Sequence, residues 1–141
     1  MASQKQLDYC YMQMAHTMAS LSKSERKKVG AIIVTSNGVL IPGVNGMAPG
    51  GSNYLEYIGK DGSLVSKEEV IHAELNAILK AAKEGVSIIG GTLYLTLSPC
   101  FRCSEMVVAA GIRRVVYCEQ YRDTLGVYNL EERGIIVDRL I

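Results

Sequence analysis

The sequence predicts an α/β fold in which helices cover both faces of a partly parallel sheet. Three observations carry that reading. In the second half of the chain, short β-rich runs alternate with helical periodicities, the pattern of strand–helix–strand units. In the first half, Ser36-Asn37-Gly38 separates two short apolar runs and signals a hairpin. No repeat, low-complexity tract or linker interrupts the 141 residues, so one domain spanning 1–141 is expected.

The elements follow in order. Over residues 4–21, Leu7, Cys10, Tyr11, Met14, Met18 and Leu21 recur every three or four positions, which predicts an amphipathic helix. Residues 29–35 and 39–42 form the two arms of the hairpin. Residues 45–66 hold five glycines, a proline and several polar residues, and read as one long loop of the kind that often carries function. Val70, Ile71, Ala73, Ala77, Ile78 and Ala81 predict a helix over 67–84, closed by Gly85. A strand at 92–97, a helix at 100–110 ending at Gly111, a strand at 113–118, a helix near 123–132 and a strand at 135–139 complete the chain.

Composition narrows the class. Apolar residues make up 48% and charged residues 21%, the balance of a soluble globular protein. No apolar run approaches the ~20 residues of a membrane span. Met1-Ala2-Ser3-Gln4-Lys5 lacks an apolar signal core, so a cytoplasmic, reducing setting is expected. A net charge of +1 argues against a polynucleotide partner, which usually meets a basic stripe. The one basic cluster, Lys23 to Lys28, reads mainly as a solvated helix end or loop. Cys10 and Cys118 sit in apolar company and read as small buried hydrophobes.

The informative motif is His72-Ala73-Glu74 followed by Pro99-Cys100-Phe101-Arg102-Cys103. Each half is common alone; together they combine one imidazole, two thiols and a carboxylate. The cysteine half opens a predicted helix, and a helix N-terminus lowers the pKa of a nearby thiol. One neutral histidine and two thiolates balance Zn²⁺ and leave a coordination position for water, the arrangement of catalytic rather than structural zinc. Thiolates favour zinc over magnesium or calcium. His16 has no metal-like neighbours and reads as an ordinary helix histidine. Glu74 reads as a proton shuttle, because zinc lowers the pKa of bound water from ~16 toward ~7. A structural zinc or a redox dithiol is the alternative, but neither accounts for the spacing of His72 and Glu74 from the cysteines.

Longer stretches carry a resemblance. They are Ser24–Ala31 (SERKKVGA), Gly43–Gly46 (GVNG), His72–Ile78 (HAELNAI), Thr92–Cys103, Ala110–Tyr117 and Tyr121-Arg122-Asp123. On these the chain resembles the zinc-dependent cytidine/deoxycytidylate deaminase superfamily, and within it the deoxycytidylate branch, from about residue 5 to residue 138. A histidine, a glutamate two residues on and a later Pro-Cys-x-x-Cys run form the known signature of zinc nucleobase deaminases.

The resemblance implies a three-layer α/β/α sandwich around a five-stranded mixed sheet. It implies His72, Cys100 and Cys103 as zinc ligands and Glu74 as general acid/base. The implied reaction converts dCMP and water to dUMP and ammonia, with zinc-bound hydroxide attacking C4. Asn45, the Ala73 N–H, the Ser98 carbonyl, Arg26, Tyr121 and Arg122 are the implied substrate contacts, the arginines for the 5′-phosphate. Members of the branch are often hexamers controlled by dCTP and dTTP with Mg²⁺. The glycine-asparagine loop, Gly43, Asn45, Gly46, Ala48, Gly50, Gly51, Ser52 and Asn53, is the implied regulatory site. The chain departs from some members in two ways. It lacks an extra Cys/His cluster in the long loop, so no second zinc is expected, and Arg122 stands where a histidine is frequent. Related deaminases acting on cytidine or tRNA adenosine, and a noncatalytic zinc-binding subunit, are the competing readings.

Overall fold

The computed structural model describes residues 1–141 and contains four helices and seven strands. The elements are α1 (Gln4–Ala19), β1 (Gly30–Val34), β2 (Leu40–Val44), β3 (Glu56–Ile58), β4 (Leu64–Ser66), α2 (Ala73–Glu84), β5 (Thr92–Leu97), α3 (Phe101–Ala109), β6 (Arg114–Glu119), α4 (Leu125–Glu132) and β7 (Ile136–Arg139). Five strands make one sheet in the order β2-β1-β5-β6-β7. β1 pairs antiparallel with β2 and with β5, whereas β5, β6 and β7 run parallel. The sheet is therefore mixed, as the alternation and the hairpin together require.

Strand alternation sorts the core into two layers. On one face Ala31, Ile33, Leu93, Leu95 and Val115 meet Ala73, Ala77 and Ala81 of α2, Val107 of α3 and Leu130 of α4. On the other, Ile32, Tyr94 and Val116 meet Met12 and Ala15 of α1. This is the α/β/α sandwich. No helix is long and apolar enough to cross a membrane.

Three expectations are corrected. The long loop is not structureless: β3 and β4 form a separate two-stranded hairpin within it. The second long helix starts at Ala73 rather than 67, because Ile71 is drawn into a bridge with Gly46. The Gly46 N–H donates to the Ile71 carbonyl at 3.0 Å and the Ile71 N–H returns the bond at 2.8 Å. That pairing keeps His72 extended, at φ −66° and ψ 154°, so it caps α2 instead of lying within it. Cys10 is exposed rather than buried, since α1 carries more apolar residues than the sheet covers.

The α1 face is fastened by one polar cluster. Arg114 of β6 forks onto Asp8 of α1, with Nη1 to Oδ1 and Nη2 to Oδ2 both at 2.8 Å. The Tyr94 hydroxyl donates to Asp8 at 2.6 Å, Gln4 Nε2 donates at 2.9 Å, and Arg114 Nε reaches Asp138 of β7 at 2.9 Å. The Arg114 fork, opposed by burial and aided by Tyr94 and Gln4, holds the Asp8 carboxyl at about 2. Its unfolded value is about 3.9, so the carboxylate contributes on the order of 2 kcal/mol to folding. Because the folded value is the lower one, that contribution is complete above about pH 4 and is lost as the pH falls toward 2. Urea unfolding of Asp8→Asn is expected to show a deficit of on the order of 2 kcal/mol at pH 7 that shrinks as the pH falls through this window. A deficit independent of pH would remove the carboxylate from the account.

Candidate active site

Two helix starts meet at the carboxyl end of β5. After Leu97 the chain passes through Ser98-Pro99 into Cys100, which caps α3 in extended conformation (φ −70°, ψ 168°) and accepts the Cys103 N–H on its sulfur at 3.5 Å. Cys103 lies one turn on and shares that face. His72 caps α2 without using its side chain on the helix, so its ring is free to turn toward α3. His72 Nδ1 lies 3.7 Å from Cys100 Sγ and 3.3 Å from Cys103 Sγ.

This geometry fits zinc. The three donor atoms lie within 4.8 Å of one another, and no further His, Cys, Asp or Glu joins the cluster. Ordinary Zn–N and Zn–S bond lengths at tetrahedral angles give an N···S edge of about 3.5 Å. The two observed separations straddle that value. Three donors of this chemistry leave one tetrahedral position without a protein ligand.

The electrostatics reinforce the cluster. A hydrogen bond from the Cys103 thiol, with further help from His72, pulls the Cys100 thiol down to about 4. The same bond, together with burial, raises Cys103. Contact with Cys100 raises His72 against the opposing effect of burial. Glu74, on the first turn of α2, is only 4% exposed, and its burial pushes the carboxyl up to about 7, with His72 opposing the rise. A bound dication would favour the carboxylate and act in the same direction as His72.

The cluster opens into a cavity of about 170 Å³. His72, Ala73, Glu74, Ser98 and Cys100 line it, together with Asn45, Arg26 and Tyr121 from elsewhere in the chain. Arg122 does not line it; its guanidinium lies over the Tyr121 ring, 5.8 Å from the centroid. Asn45 has committed much of its amide: Oδ1 accepts from the Val29 N–H at 2.9 Å, and Nδ2 donates to the Lys27 carbonyl at 2.8 Å. Ser98 Oγ accepts from the Tyr121 N–H at 2.6 Å and from Gln120 Nε2 at 3.0 Å, which ties the segment after β6 to the pocket.

The wall also contains residues that the sequence does not single out as contacts, among them Ser24, Lys27, Ser66 and Val70. Lys27, which reads as solvated, lines the cavity and pairs with Glu119 at 2.6 Å. The only signal for it is the SERKKVGA stretch as a whole, and nothing in that stretch ranks Lys27 above its neighbours. The implied regulatory residues Asn45, Gly46, Ala48, Gly50, Gly51, Ser52 and Asn53 line a second cleft beside Lys23. Gly43 stands apart from that cleft. It is buried under α2, where an added Cβ would meet the Ala73 carbonyl and, at 2.8 Å, the Ala77 nitrogen.

Gly126 of α4 performs a similar packing task at the metal cluster. A Cβ there would strike the Pro99 carbonyl and come within 2.9 Å of Cys100 backbone atoms. Gly126→Ala is expected to cost about 1–3 kcal/mol by overpacking. It should also shift Cys100 and lower the zinc retained during dialysis, as read by metal analysis alongside the thermal midpoint. A lowered midpoint with undiminished zinc would separate α4 from the cluster.

A histidine, two thiols and a buried glutamate at paired helix starts define a metal-dependent hydrolytic class of site. Known proteins place it more closely. The family model for the cytidine and deoxycytidylate deaminase zinc-binding region matches residues 5–119. The deoxycytidylate deaminase of Enterobacteria phage T4 is 33% identical, over 78% of this chain and 76% of that protein. That of Mycobacterium phage D29 is 36% identical, over 78% of this chain and 92% of that protein. The crystal structure of dCMP deaminase from the cyanophage S-TIM5, in complex with dCMP and dUMP, superposes with a TM-score of 0.89 at 38% identity, covering 99% of this chain and 100% of that one. The chain belongs to the cytidine and deoxycytidylate deaminase family.

Proposed function

We propose that the whole chain, 1–141, is one catalytic domain that hydrolyses dCMP to dUMP and ammonia. The observation that carries this is the buried Glu74 beside the His72–Cys100–Cys103 cluster, in a cavity that also presents Arg26 and Lys27. A relative of 38% identity whose structure contains dCMP and dUMP supports the substrate.

His72, Cys100 and Cys103 would hold zinc, which when bound acidifies water at neutral pH and acts as a Lewis acid. Glu74 takes the proton of the attacking water and delivers it to N3 of the base, then helps protonate the departing amine. Its burial keeps the carboxyl out of bulk water, so the accepted proton stays within the site. The Ala73 N–H belongs to the first turn of α2, where N–H groups lack partners within the helix, and suits an acceptor on the base edge. The Ser98 carbonyl suits a donor there. Tyr121 packs beside the base, and the remaining Asn45 N–H serves the sugar. Arg26 takes the 5′-phosphate, with Arg122 outside the cavity as a second cation.

The test is ammonia release from dCMP, deoxycytidine, cytidine and a tRNA, together with zinc content. Turnover selective for dCMP is expected. Turnover confined to tRNA, or none on any of the four with zinc bound, would overturn the reading. We further assign the Lys23 and glycine-loop cleft to regulatory dCTP or dTTP with Mg²⁺. In that cleft the N–H groups of Gly46 and Gly51 are committed to the Ile71 and Ala48 carbonyls, while those of Gly50, Ser52 and Asn53 remain for a phosphate. The exposed Tyr9, Met14 and Leu40 support a homo-oligomer, assigned as a hexamer. Saturation curves with each triphosphate, and light scattering, test these two assignments.

A further inference from the structure

The segment between α1 and β1 reaches the cavity without belonging to any helix or strand, yet it carries Ser24, Arg26 and Lys27 to the wall. Its backbone groups must therefore find partners outside regular structure. Glu56 of β3 provides them. Its Oε2 accepts from the Ser24 hydroxyl at 2.6 Å and from the Arg26 N–H at 3.3 Å, and its Oε1 accepts from the Glu25 N–H at 3.2 Å. Ser66 stands opposite Glu56 in the β3–β4 pair, so the two side chains leave the same face of the hairpin. Ser66 Oγ accepts from Arg26 Nη1 at 3.1 Å. One strand thus fixes the backbone of the segment, and the other aims its guanidinium.

Glu56 itself does not line the cavity. A carboxylate near an anion site would ordinarily repel the anion. Here its charge is taken up by three donors of the segment it holds. Glutamine could not replace it, since its single oxygen covers one side of the contact and its amide would turn a donor toward another donor.

We infer that Glu56 is a positioning residue, holding the Ser24–Lys27 segment so that Arg26 meets the 5′-phosphate of the substrate. The assignment rests on the nucleotide reading above, and it makes the β3–β4 hairpin a clamp on the phosphate end of the site.

The experiment compares kcat and KM on dCMP and on deoxycytidine, which differ only in the phosphate, for wild type, Glu56→Gln, Glu56→Asp and Ser66→Ala. Glu56→Gln should raise KM for dCMP about tenfold with kcat within about threefold, because the lost contact orders the binding group rather than the reacting atoms. Its loss of kcat/KM should be at least about fivefold greater on dCMP than on deoxycytidine. Glu56→Asp should fall between wild type and Glu56→Gln, and Ser66→Ala should shift in the same direction by less. Amide exchange of Glu25 and Arg26 should quicken in Glu56→Gln while α2 and α3 keep their protection. Equal losses on the two substrates, a fall in kcat at constant KM, or no change would overturn the inference. Should Glu56→Gln fail to fold, Glu56→Asp decides by the same comparison. A wild type inert toward dCMP sinks the nucleotide reading itself. An active wild type matched by Glu56→Gln sinks only the role of Glu56.

Discussion

Glu74→Gln is expected to retain zinc and fold normally, and to lose between about a hundredfold and ten-thousandfold of kcat on dCMP, the usual range for removing a general acid/base. The substitution is nearly isosteric, and Glu74 stands outside the three-donor cluster, so metal binding has no reason to fail. The amide cannot take a proton from water or return one to N3. Stability should change little, since the substitution keeps the side-chain volume at a position that is only 4% exposed. The test is zinc per chain, the thermal midpoint and single-turnover deamination on one preparation. Turnover within tenfold of wild type, with zinc at full occupancy, would take the proton-transfer role from Glu74. Parallel loss of zinc and activity would recast Glu74 as a support for the metal cluster.

The parts of the molecule legible in the sequence are those set by local pattern. Ala31–Val34, Leu93–Leu95 and Val115–Cys118 are unbroken apolar stretches because both faces of those strands are covered. The metal cluster is equally legible. Its candidate donors sit at helix starts, where Pro99 and the extended cap residues leave a local imprint. What escapes the sequence depends on partners distant along the chain. Val70 and Ile71 continue the helical spacing of α2, yet Ile71 is claimed by Gly46, and no local signal reports a bridge between such separated positions. The hairpin strands β3 and β4 span three residues each and are largely exposed, too short for an alternation to register. The pocket wall is the least legible. Arg26 and Lys27 gain their meaning from Glu56 and Glu119, and Asn45 from Lys27 and Val29, contacts that link segments widely separated in sequence. A turn-forming Asn-Gly pair and a basic cluster look the same in the sequence whether or not a cavity lies beside them.

Cys100→Ser separates the two jobs of its residue and should abolish turnover by at least about a thousandfold while α3 survives, since metal-dependent chemistry has no substitute here. Cys100 is both the cap of α3, through the Cys103 N–H on its sulfur, and a member of the donor cluster. Serine is a better helix cap than most residues, so the first job passes to its hydroxyl. The second does not. A neutral hydroxyl gives up its proton far less readily than a thiol, and zinc in such sites selects soft thiolate. Without Cys100, His72 and Cys103 remain as two donors, too few for a catalytic zinc site. Cys103→Ser is a harsher change, because Cys103 is 4% exposed and a new hydroxyl would be buried in the packed layer beneath α3. The pair therefore predicts an order. Both variants lose zinc by metal analysis, Cys100→Ser keeps the thermal midpoint of the chelator-stripped wild type, and Cys103→Ser falls below it. Adding zinc back should restore turnover to the stripped wild type and to neither variant. Stoichiometric zinc with turnover within tenfold of wild type in Cys100→Ser would refute the ligand set, and with it the chemistry assigned to the cavity.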